Sequence, residues 1–268
     1  MPPSYTHGHA ESVLRSHRTR TAANSAAYLL PALRPGLSVL DVGAGPGSIT
    51  ADLARLVAPG RVVALETSEG VLVHTRAGVE ASGVDGVEYL AGDIHALDVP
   101  DDSFDVVHAH QVLQHLADPV AALGEMLRVC RPGGVVAVRD ADYAAFTWFP
   151  EADGIDRWLA LYRDLARRNG GEPDAGRRLL GWALAAGADR ARVTATASVW
   201  CYADEESRAA WGLGWAERIL HSAVAEQLLA AGLAEASELE KIADAWRTWA
   251  AAEDGWFTLL HGELLIRA

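Results

Sequence analysis

SVLDVGAGPGSIT, residues 38–50, is the stretch of sequence that decides the fold. Its apolar residues at positions 39, 40 and 42 predict a short buried strand of a parallel sheet. After the glycines, the spacing of Ile49, Leu53 and Leu56 predicts an amphipathic helix. A strand that passes through glycines into a helix N-terminus exposes backbone N–H groups to a ligand. The stretch therefore predicts the first unit of an α/β fold, with a loop that suits a phosphate or a carboxylate.

The spacing of the glycines narrows the choice of ligand. A dinucleotide-binding fingerprint has the form G-x-G-x-x-G, which would require glycine at the position of Ser48. The chain instead has Gly43, Gly45 and Gly47, with Pro46 between the last two. This spacing disfavours a nicotinamide dinucleotide. A glycine-rich turn that binds no ligand is the alternative.

Composition limits the class of protein. Half of the 268 residues are hydrophobic, which indicates a globular protein with a substantial core. The net charge of −13 argues against nucleic acid as a partner, because the phosphate backbone would be repelled. Two cysteines are too few for a disulfide framework or a cysteine-based metal cluster, so no metal is expected. The chain shows neither a signal peptide nor a membrane span, and we expect a cytoplasmic protein.

Polar residues follow three further predicted strands. The strand 61–66 ends at Glu66, which lies 19 positions after Gly47, a spacing that lets a carboxylate accept hydrogen bonds from the two hydroxyls of a ribose. An ordinary strand-end carboxylate is the alternative. A third strand is predicted to end at Asp93, and a fourth to deliver His110 and Gln111. Because the carboxyl ends of parallel strands meet at one edge, we expect these side chains to lie close together.

The next helix is clearly delimited and leads to a recognisable pattern. Asp118 is predicted as its N-cap and Pro119 as its first residue, and the Pro-Gly-Gly at 132–134 ends it. The glycine motif, the DSFDVV segment at 102–107 and the LRVCRPGG segment at 127–134 together resemble class I S-adenosylmethionine-dependent methyltransferases. The resemblance is to their UbiE-like, ubiquinone/menaquinone-biosynthesis branch. It is close over about 36–140 and weak elsewhere.

The resemblance implies a fold. It is a doubly wound, Rossmann-like α/β domain with a seven-stranded sheet in the order 3-2-1-4-5-7-6, in which the last strand is antiparallel. The whole chain, 1–268, is then a single domain with its cofactor-binding core at 36–140. Helical cap elements are expected at 143–190 and 204–253. In similar proteins an N-terminal segment, here 1–33, covers the cofactor as a lid, and its candidate contacts are Tyr5, His9 and Arg20; a solvated arm is the alternative.

The resemblance also implies a cofactor and the residues that bind it. The cofactor would be S-adenosylmethionine, with its methionine portion in the glycine loop, its adenine amino group on Asp93 and its adenine ring on Ile94. The implied cofactor-binding residues are Asp41, Gly43, Ala44, Gly45, Glu66, Thr67, Asp93, Ile94, His110 and Gln111. His110 and His115 are candidate catalytic bases, with structural histidines as the alternative. A base among them would make kcat titrate near neutrality.

The expected reaction is in-line transfer of a methyl group to a hydrophobic small molecule, either quinone-like or a natural product. Its acceptor is expected near His110, Gln111, His115 and the stretch 142–148. A non-methylating cofactor-binding protein, either a cyclase or a regulator, is one alternative. A nicotinamide-dependent oxidoreductase is a weaker one, because Lys241 is the sole lysine and no Tyr-x-x-x-Lys pair exists.

We expect a monomer or homodimer. All nine tryptophans lie at or after Trp148, and helix packing is the favoured role for most of them.

Overall fold

A central β-sheet organises the molecule. The computed structural model describes residues 19–268, and within them the sheet has eight strands. They are β1 (Ser38–Val42), β2 (Arg61–Glu66), β3 (Val87–Ala91), β4 (Phe104–His110), β5 (Cys130–Ala141), β6 (Thr147–Phe149), β7 (Val193–Tyr202) and β8 (Trp256–Arg267).

The order of the strands confirms the predicted topology. β1 lies between β2 and β4, with β3 outside β2 and β5 beside β4, and all of these pairs are parallel. β8 pairs antiparallel with β5, and β7 pairs antiparallel with β8. The long strands therefore follow the order β3-β2-β1-β4-β5-β8-β7, which is the predicted arrangement. The predicted number of seven was wrong by one, because β6, a three-residue strand, pairs with the start of β8.

Helices surround this sheet. They are α1 (Ala22–Ser25), α2 (Ser48–Val57), α3 (Glu69–Ala81), α4 (Pro119–Val129), α5 (Asp153–Arg168), α6 (Leu179–Ala185), α7 (Glu205–His221), α8 (Ala223–Ala230) and α9 (Ala236–Ala251). The predicted start of α4 is confirmed: the Asp118 side chain accepts a hydrogen bond from the Ala121 N–H, and Pro119 is the first helical residue. Of the described helices, none is both long and apolar enough to cross a membrane.

Two apolar layers cover the two faces of the sheet. Since neighbouring residues of a strand point to opposite faces, Val39 and Leu40 of β1 enter different cores. Val39 packs with Leu29 and with Leu53 of α2. Leu40 packs on the other face with residues of α4 and α6, such as Met126. This arrangement is the doubly wound α/β fold that the sequence predicted.

A third cluster joins the helices of the second half of the chain. Trp158 of α5, Trp215 of α7 and Trp246 of α9 are fully buried, and the Trp158 ring centroid lies 4.5 Å from that of Trp215 and 5.0 Å from that of Trp246. Phe257 of β8 packs against the rings of Trp158 and Trp246. Helix packing is therefore the role of these tryptophans. The predicted cap regions hold these helices, but 143–190 also contains the strand β6.

Candidate functional site

The glycine loop after β1 leaves open space at its centre. Gly43, Gly45 and Gly47 have φ values of 67°, 57° and 80°, a region that residues with a side chain rarely adopt. A Cβ atom on Gly43 would lie 2.5 Å from the Val112 Cγ2 atom, whereas the nearest atom to a Cβ on Gly45 would be 3.9 Å away. The loop is therefore packed at Gly43 and open at Gly45, where a ligand can approach the backbone.

Asp41 supports the loop from beneath. Its side chain is 3% exposed, and its Oδ2 atom accepts a hydrogen bond of 2.6 Å from the Thr50 hydroxyl. Its Oδ1 atom lies 2.8 Å from Nδ1 of His108 in β4. Both carboxylate oxygens thus bind groups inside the protein and hold β1, β4 and α2 together. The neighbouring Ala44 is also buried. A direct contact of Asp41 or Ala44 with a cofactor stays a prediction.

Glu66 lies beside the loop, as its spacing from the glycines predicted. Its Oε1 atom accepts a hydrogen bond of 2.7 Å from the Gly45 N–H, and its Oε2 atom accepts one of 3.3 Å from the Thr67 N–H. Burial raises the pKa of the Glu66 carboxyl, and the two N–H donors partly offset this effect. Thr67 itself is exposed. A carboxylate therefore stands at the open part of the glycine loop.

Asp93 and Ile94 lie at the same edge, but not at the end of a strand. β3 ends at Ala91, two residues before the predicted end, and the Gly92 N–H donates to the Glu66 carbonyl oxygen. Asp93 is exposed, and hydrogen bonds from the His95 N–H and ring lower the pKa of its carboxyl. Ile94 is 6% exposed and packs in the core. Asp93 is thus placed for a ligand, whereas the Ile94 side chain lies mostly beneath the surface.

Gln111 connects three parts of the chain just beyond β4. It has a positive φ of 55°, which is unusual for a residue with a side chain and often marks a functional site. Its Oε1 atom accepts a hydrogen bond of 2.7 Å from Arg20 Nη2, and its Nε2 atom lies 2.8 Å from Nε2 of His261 in β8. Arg20, one of the three candidate lid residues, therefore contacts the strand edge. The other two, Tyr5 and His9, lie outside the described residues.

The two candidate bases are neutral imidazoles, of which His110 is buried and His115 partly buried. His110 is 6% exposed, and neither of its ring nitrogens has a hydrogen-bond partner among residues 19–268. Burial, followed by the charges of Arg20 and Arg139, holds the pKa of His110 well below its usual range. Burial also lowers the pKa of His115 to about 4, and its Nε2 atom lies 3.0 Å from Gln114 Nε2. A titration near neutrality is therefore not expected of either imidazole.

A row of buried polar residues lies beside His110 and was not predicted from the sequence. His110 of β4 is in register with Arg139 of β5, which is in register with Glu263 of β8, and Glu263 with Thr196 of β7. Arg139 is 1% exposed and Glu263 is 6% exposed. Charged residues are rarely buried in a protein unless they are paired. The arginine within the VVAVRDA segment of β5 was therefore the sequence signal from which this row could have been predicted.

A cavity of about 810 Å³ opens beside this row. It lies between residues 19–24, the end of β7 and α7, and its walls include Arg20, Trp200, Tyr202, Trp211 and Leu213. The Trp200 indole N–H donates a hydrogen bond of 2.8 Å to the Asn24 carbonyl oxygen. The acceptor was also expected near the stretch 142–148, but Tyr143 and Phe146 of that stretch pack in the helical core and do not line this cavity.

Among the described residues, no group of three or more His, Cys, Asp or Glu side chains has the arrangement to hold a metal ion.

Comparison with known sequences places this chain among methyltransferases. The family described as "Methyltransferase domain" matches residues 33–169. A Schizosaccharomyces pombe protein named as an uncharacterized methyltransferase is 33% identical over 98% of this chain and 96% of its own length. The ubiquinone/menaquinone biosynthesis C-methyltransferase UbiE of Shewanella halifaxensis is 35% identical, over 39% of this chain and 43% of its own length.

Solved structures share the fold at low sequence identity. A Bacillus halodurans protein described as a proposed methyltransferase has a TM-score of 0.55 and 20% identity, over 90% of this chain and 96% of that one. The [4+2]-cyclase SpnF has a TM-score of 0.53 and 21% identity, over 97% and 88%. A Haemonchus contortus phosphoethanolamine N-methyltransferase, solved with phosphomonomethylethanolamine and S-adenosylhomocysteine, has a TM-score of 0.53 and 17% identity, over 88% and 49%.

Proposed function

The chain belongs to the class I S-adenosylmethionine-dependent methyltransferases, and from this we propose that it transfers a methyl group to a hydrophobic small molecule. The cavity of about 810 Å³ at the end of β7, where the Trp200 ring centroid lies 5.7 Å from that of His110, is the observation that carries the proposal. Its volume lies in the range of small-molecule sites, and aromatic rings form much of its wall. A partner with a phosphate backbone would be repelled by the net charge of −13.

The glycine loop and its neighbours fit the cofactor. The open space at Gly45 admits a ligand to the backbone, and Glu66 offers carboxylate oxygens at the same place. Gly43, Gly45 and Glu66 would hold S-adenosylmethionine, with Asp93 at the next strand end. When bound, the cofactor supplies an electrophilic methyl group on a sulfonium.

The remaining task of the protein is to orient the acceptor and to exclude water. Trp200, Tyr202 and Trp211 give the cavity apolar walls, and Arg20 lies across one side of it. His110 is neutral, and its ring nitrogens have no partner within the described part of the chain, so it can hydrogen-bond an acceptor, whereas its lowered pKa makes it a weak base. An acceptor that is already ionised needs no base, and orientation alone then suffices.

A methyl-transfer screen tests the proposal. The protein would be incubated with methyl-labelled S-adenosylmethionine and a panel of quinones, phenols and hydrophobic organic acids, and products would be followed by mass. A product that carries the labelled methyl group supports the proposal. Tight binding of S-adenosylhomocysteine without any methylated product would favour the non-methylating alternative, which the fold of the cyclase SpnF makes worth testing. Light scattering would distinguish a monomer from a homodimer.

A further inference from the structure

Arg139 has unmet hydrogen-bond donors inside the protein. Its Nε atom lies 3.2 Å from Glu263 Oε1 and 3.1 Å from the Ser198 hydroxyl. Its Nη1 and Nη2 atoms are buried and have no hydrogen-bond partner among residues 19–268. A guanidinium presents five N–H donors in a planar fork that matches a carboxylate, so four of these donors remain available.

Glu263, the partner of Arg139, does not take up the Nη donors. The Glu263 carboxylate already accepts hydrogen bonds from the Thr196 and Ser198 hydroxyls. Arg139 is also fixed in orientation, because its guanidinium lies over the Trp200 ring, 4.8 Å from the ring centroid. A guanidinium that stacks on a ring keeps its N–H groups free at its edge. Arg139 is therefore an oriented, buried cation whose Nη1 and Nη2 donors lack an acceptor among the described residues.

Other polar atoms with no partner surround the same place. The Tyr28 hydroxyl is buried and has no hydrogen-bond partner among the described residues, and the same is true of both His110 ring nitrogens. Burial raises the pKa of the Tyr28 hydroxyl and lowers that of His110, and the positive charge of Arg139 acts on both groups. Buried polar groups in native proteins are nearly always hydrogen-bonded. Several of them around one cation point to a missing ligand that accepts hydrogen bonds.

The location of Arg139 suits an acceptor better than the cofactor. The glycine loop follows β1, and Arg139 stands on β5, two strands away, which corresponds to about 10 Å. The Trp200 ring borders both Arg139 and the cavity of about 810 Å³. Arg139 is 1% exposed and does not itself line the cavity, so a molecule whose apolar body lies there reaches Arg139 only where the side chains of Trp200 and Arg20 move aside.

On the basis of the proposed methyltransferase function, we propose that Arg139 binds a carboxylate of the acceptor, so that the substrate is an organic acid with an apolar body. The two free nitrogens Nη1 and Nη2 take the two carboxylate oxygens, and the Tyr28 hydroxyl donates from the side. Trp200 fixes the guanidinium plane. The site therefore favours a molecule that has a carboxylate, bound by Arg139, and an apolar body, bound in the cavity.

Matched acids and amides test this inference without any variant. Benzoate and 2-naphthoate, with benzamide and 2-naphthamide, would be titrated by calorimetry into the wild-type protein saturated with S-adenosylhomocysteine. We expect each acid to bind at least tenfold more tightly than its amide. Equal affinities, or no binding of either acid, would overturn the inference.

Substitutions test whether Arg139 causes the preference for the acid over the amide. We expect Arg139→Gln, and the double variant Arg139→Gln/Glu263→Gln, to weaken acid binding at least tenfold and to leave amide binding unchanged. The double variant removes both partners of the ion pair, so it leaves no unpaired Glu263 charge that would unfold the protein. Arg168→Gln, on the exposed surface of α5, is the matched control and should keep the acid preference. A preference that survives in the folded double variant contradicts the role of Arg139.

The cofactor carries a carboxylate too, and the same titrations separate the two cases. If Arg139 held the methionine carboxylate, its substitution would weaken S-adenosylhomocysteine at least tenfold and leave 5′-methylthioadenosine, which lacks that group, unaffected. That result would overturn the inference but not the proposed function. Failure of the wild-type protein to bind S-adenosylhomocysteine would instead overturn the proposed function.

Discussion

Glu66 is the single residue on which cofactor affinity should depend most. Its carboxylate faces the open part of the glycine loop and would accept the ribose hydroxyls. We expect Glu66→Ala to weaken S-adenosylhomocysteine binding by roughly 1.5–3 kcal/mol, the contribution of a charged hydrogen bond. Calorimetry measures the change. Glu69→Ala, three residues later on the exposed start of α3, should bind like the wild type; unchanged affinity in Glu66→Ala would remove Glu66 from the site.

Asp140 should make the stability of the protein depend on pH. Burial raises the pKa of this carboxyl to about 7, against roughly 3.9 in an unfolded chain. The folded state therefore holds a proton that the unfolded state releases, and stability falls as pH rises from about 4 to about 7. The loss is on the order of 4 kcal/mol.

The variant Asp140→Asn isolates this effect, because an amide oxygen can still accept the hydrogen bond from the Gln114 N–H. We expect its stability to change less than that of the wild type between pH 4 and pH 7, as measured by urea unfolding at several pH values. Parallel curves for the two proteins would show that Asp140 is ionised throughout.

For single residues, contacts within one βαβ unit could be predicted from the sequence, whereas contacts that depend on the register between strands could not. The spacing from Gly47 to Glu66 spans one helix and one strand, so their meeting could be foreseen and is confirmed by the hydrogen bond to Gly45. Arg139 meets His110 and Glu263 only because β4, β5 and β8 align in one particular register. No local pattern in the sequence sets that alignment.

Among the elements, the segment before β1 should respond to the cofactor. Arg20 donates a hydrogen bond to Gln111, and the Ala22 N–H donates one to Asp52 of α2, the helix that follows the glycine loop. The Asn24 carbonyl oxygen accepts one from Trp200, which lines the cavity. This short segment therefore contacts both the helix after the glycine loop and the wall of the cavity. We expect hydrogen exchange at residues 19–25 to slow when S-adenosylhomocysteine binds. Residues 236–251 of α9 serve as the internal control. Unchanged exchange in residues 19–25 would make the segment an arm and not a lid.

The helices α5, α7 and α9 should depend on their shared tryptophans. We expect Trp246→Ala to lower the free energy of unfolding by roughly 3–5 kcal/mol, because it empties a fully buried site. Trp246→Phe should cost less, since the phenyl ring keeps most contacts and removes an indole N–H that has no partner in the described structure. Trp256, which is 41% exposed, provides the control substitution to alanine. Equal losses from Trp246→Ala and Trp256→Ala, in urea unfolding, would contradict this packing role.

Element boundaries could be predicted where a local signal sets them. The Asp118 cap and Pro119 define the start of α4 in the sequence itself, and the structure agrees. By contrast, β6 exists only because Thr147–Phe149 pairs with the start of β8. Such a pairing joins segments more than a hundred residues apart, so a three-residue strand leaves no detectable pattern in the sequence.

For the molecule as a whole, cofactor binding should raise thermal stability. A ligand that binds only the folded state adds about 2.7 kcal/mol at a concentration one hundred times its Kd. For a chain of 268 residues this corresponds to a rise in Tm of about 5 °C with S-adenosylhomocysteine. NAD at the same concentration should leave Tm unchanged, because Ser48 stands where its fingerprint requires glycine. A scanning fluorimetry experiment checks both; a larger shift with NAD would contradict the assignment.

The position of β8 has a consequence for how this protein is made. β8 pairs with β5, β6 and β7, all of which precede it on the chain, and it is the strand that joins β7 to the rest of the sheet. While a ribosome is still translating residues 256–267, β7 has no strand to pair with and the open edge of β5 remains exposed. Such edges invite pairing with other chains. The second half of the protein must therefore wait for its final strand, and a nascent chain stalled before Trp256 should be prone to aggregation and bound by chaperones.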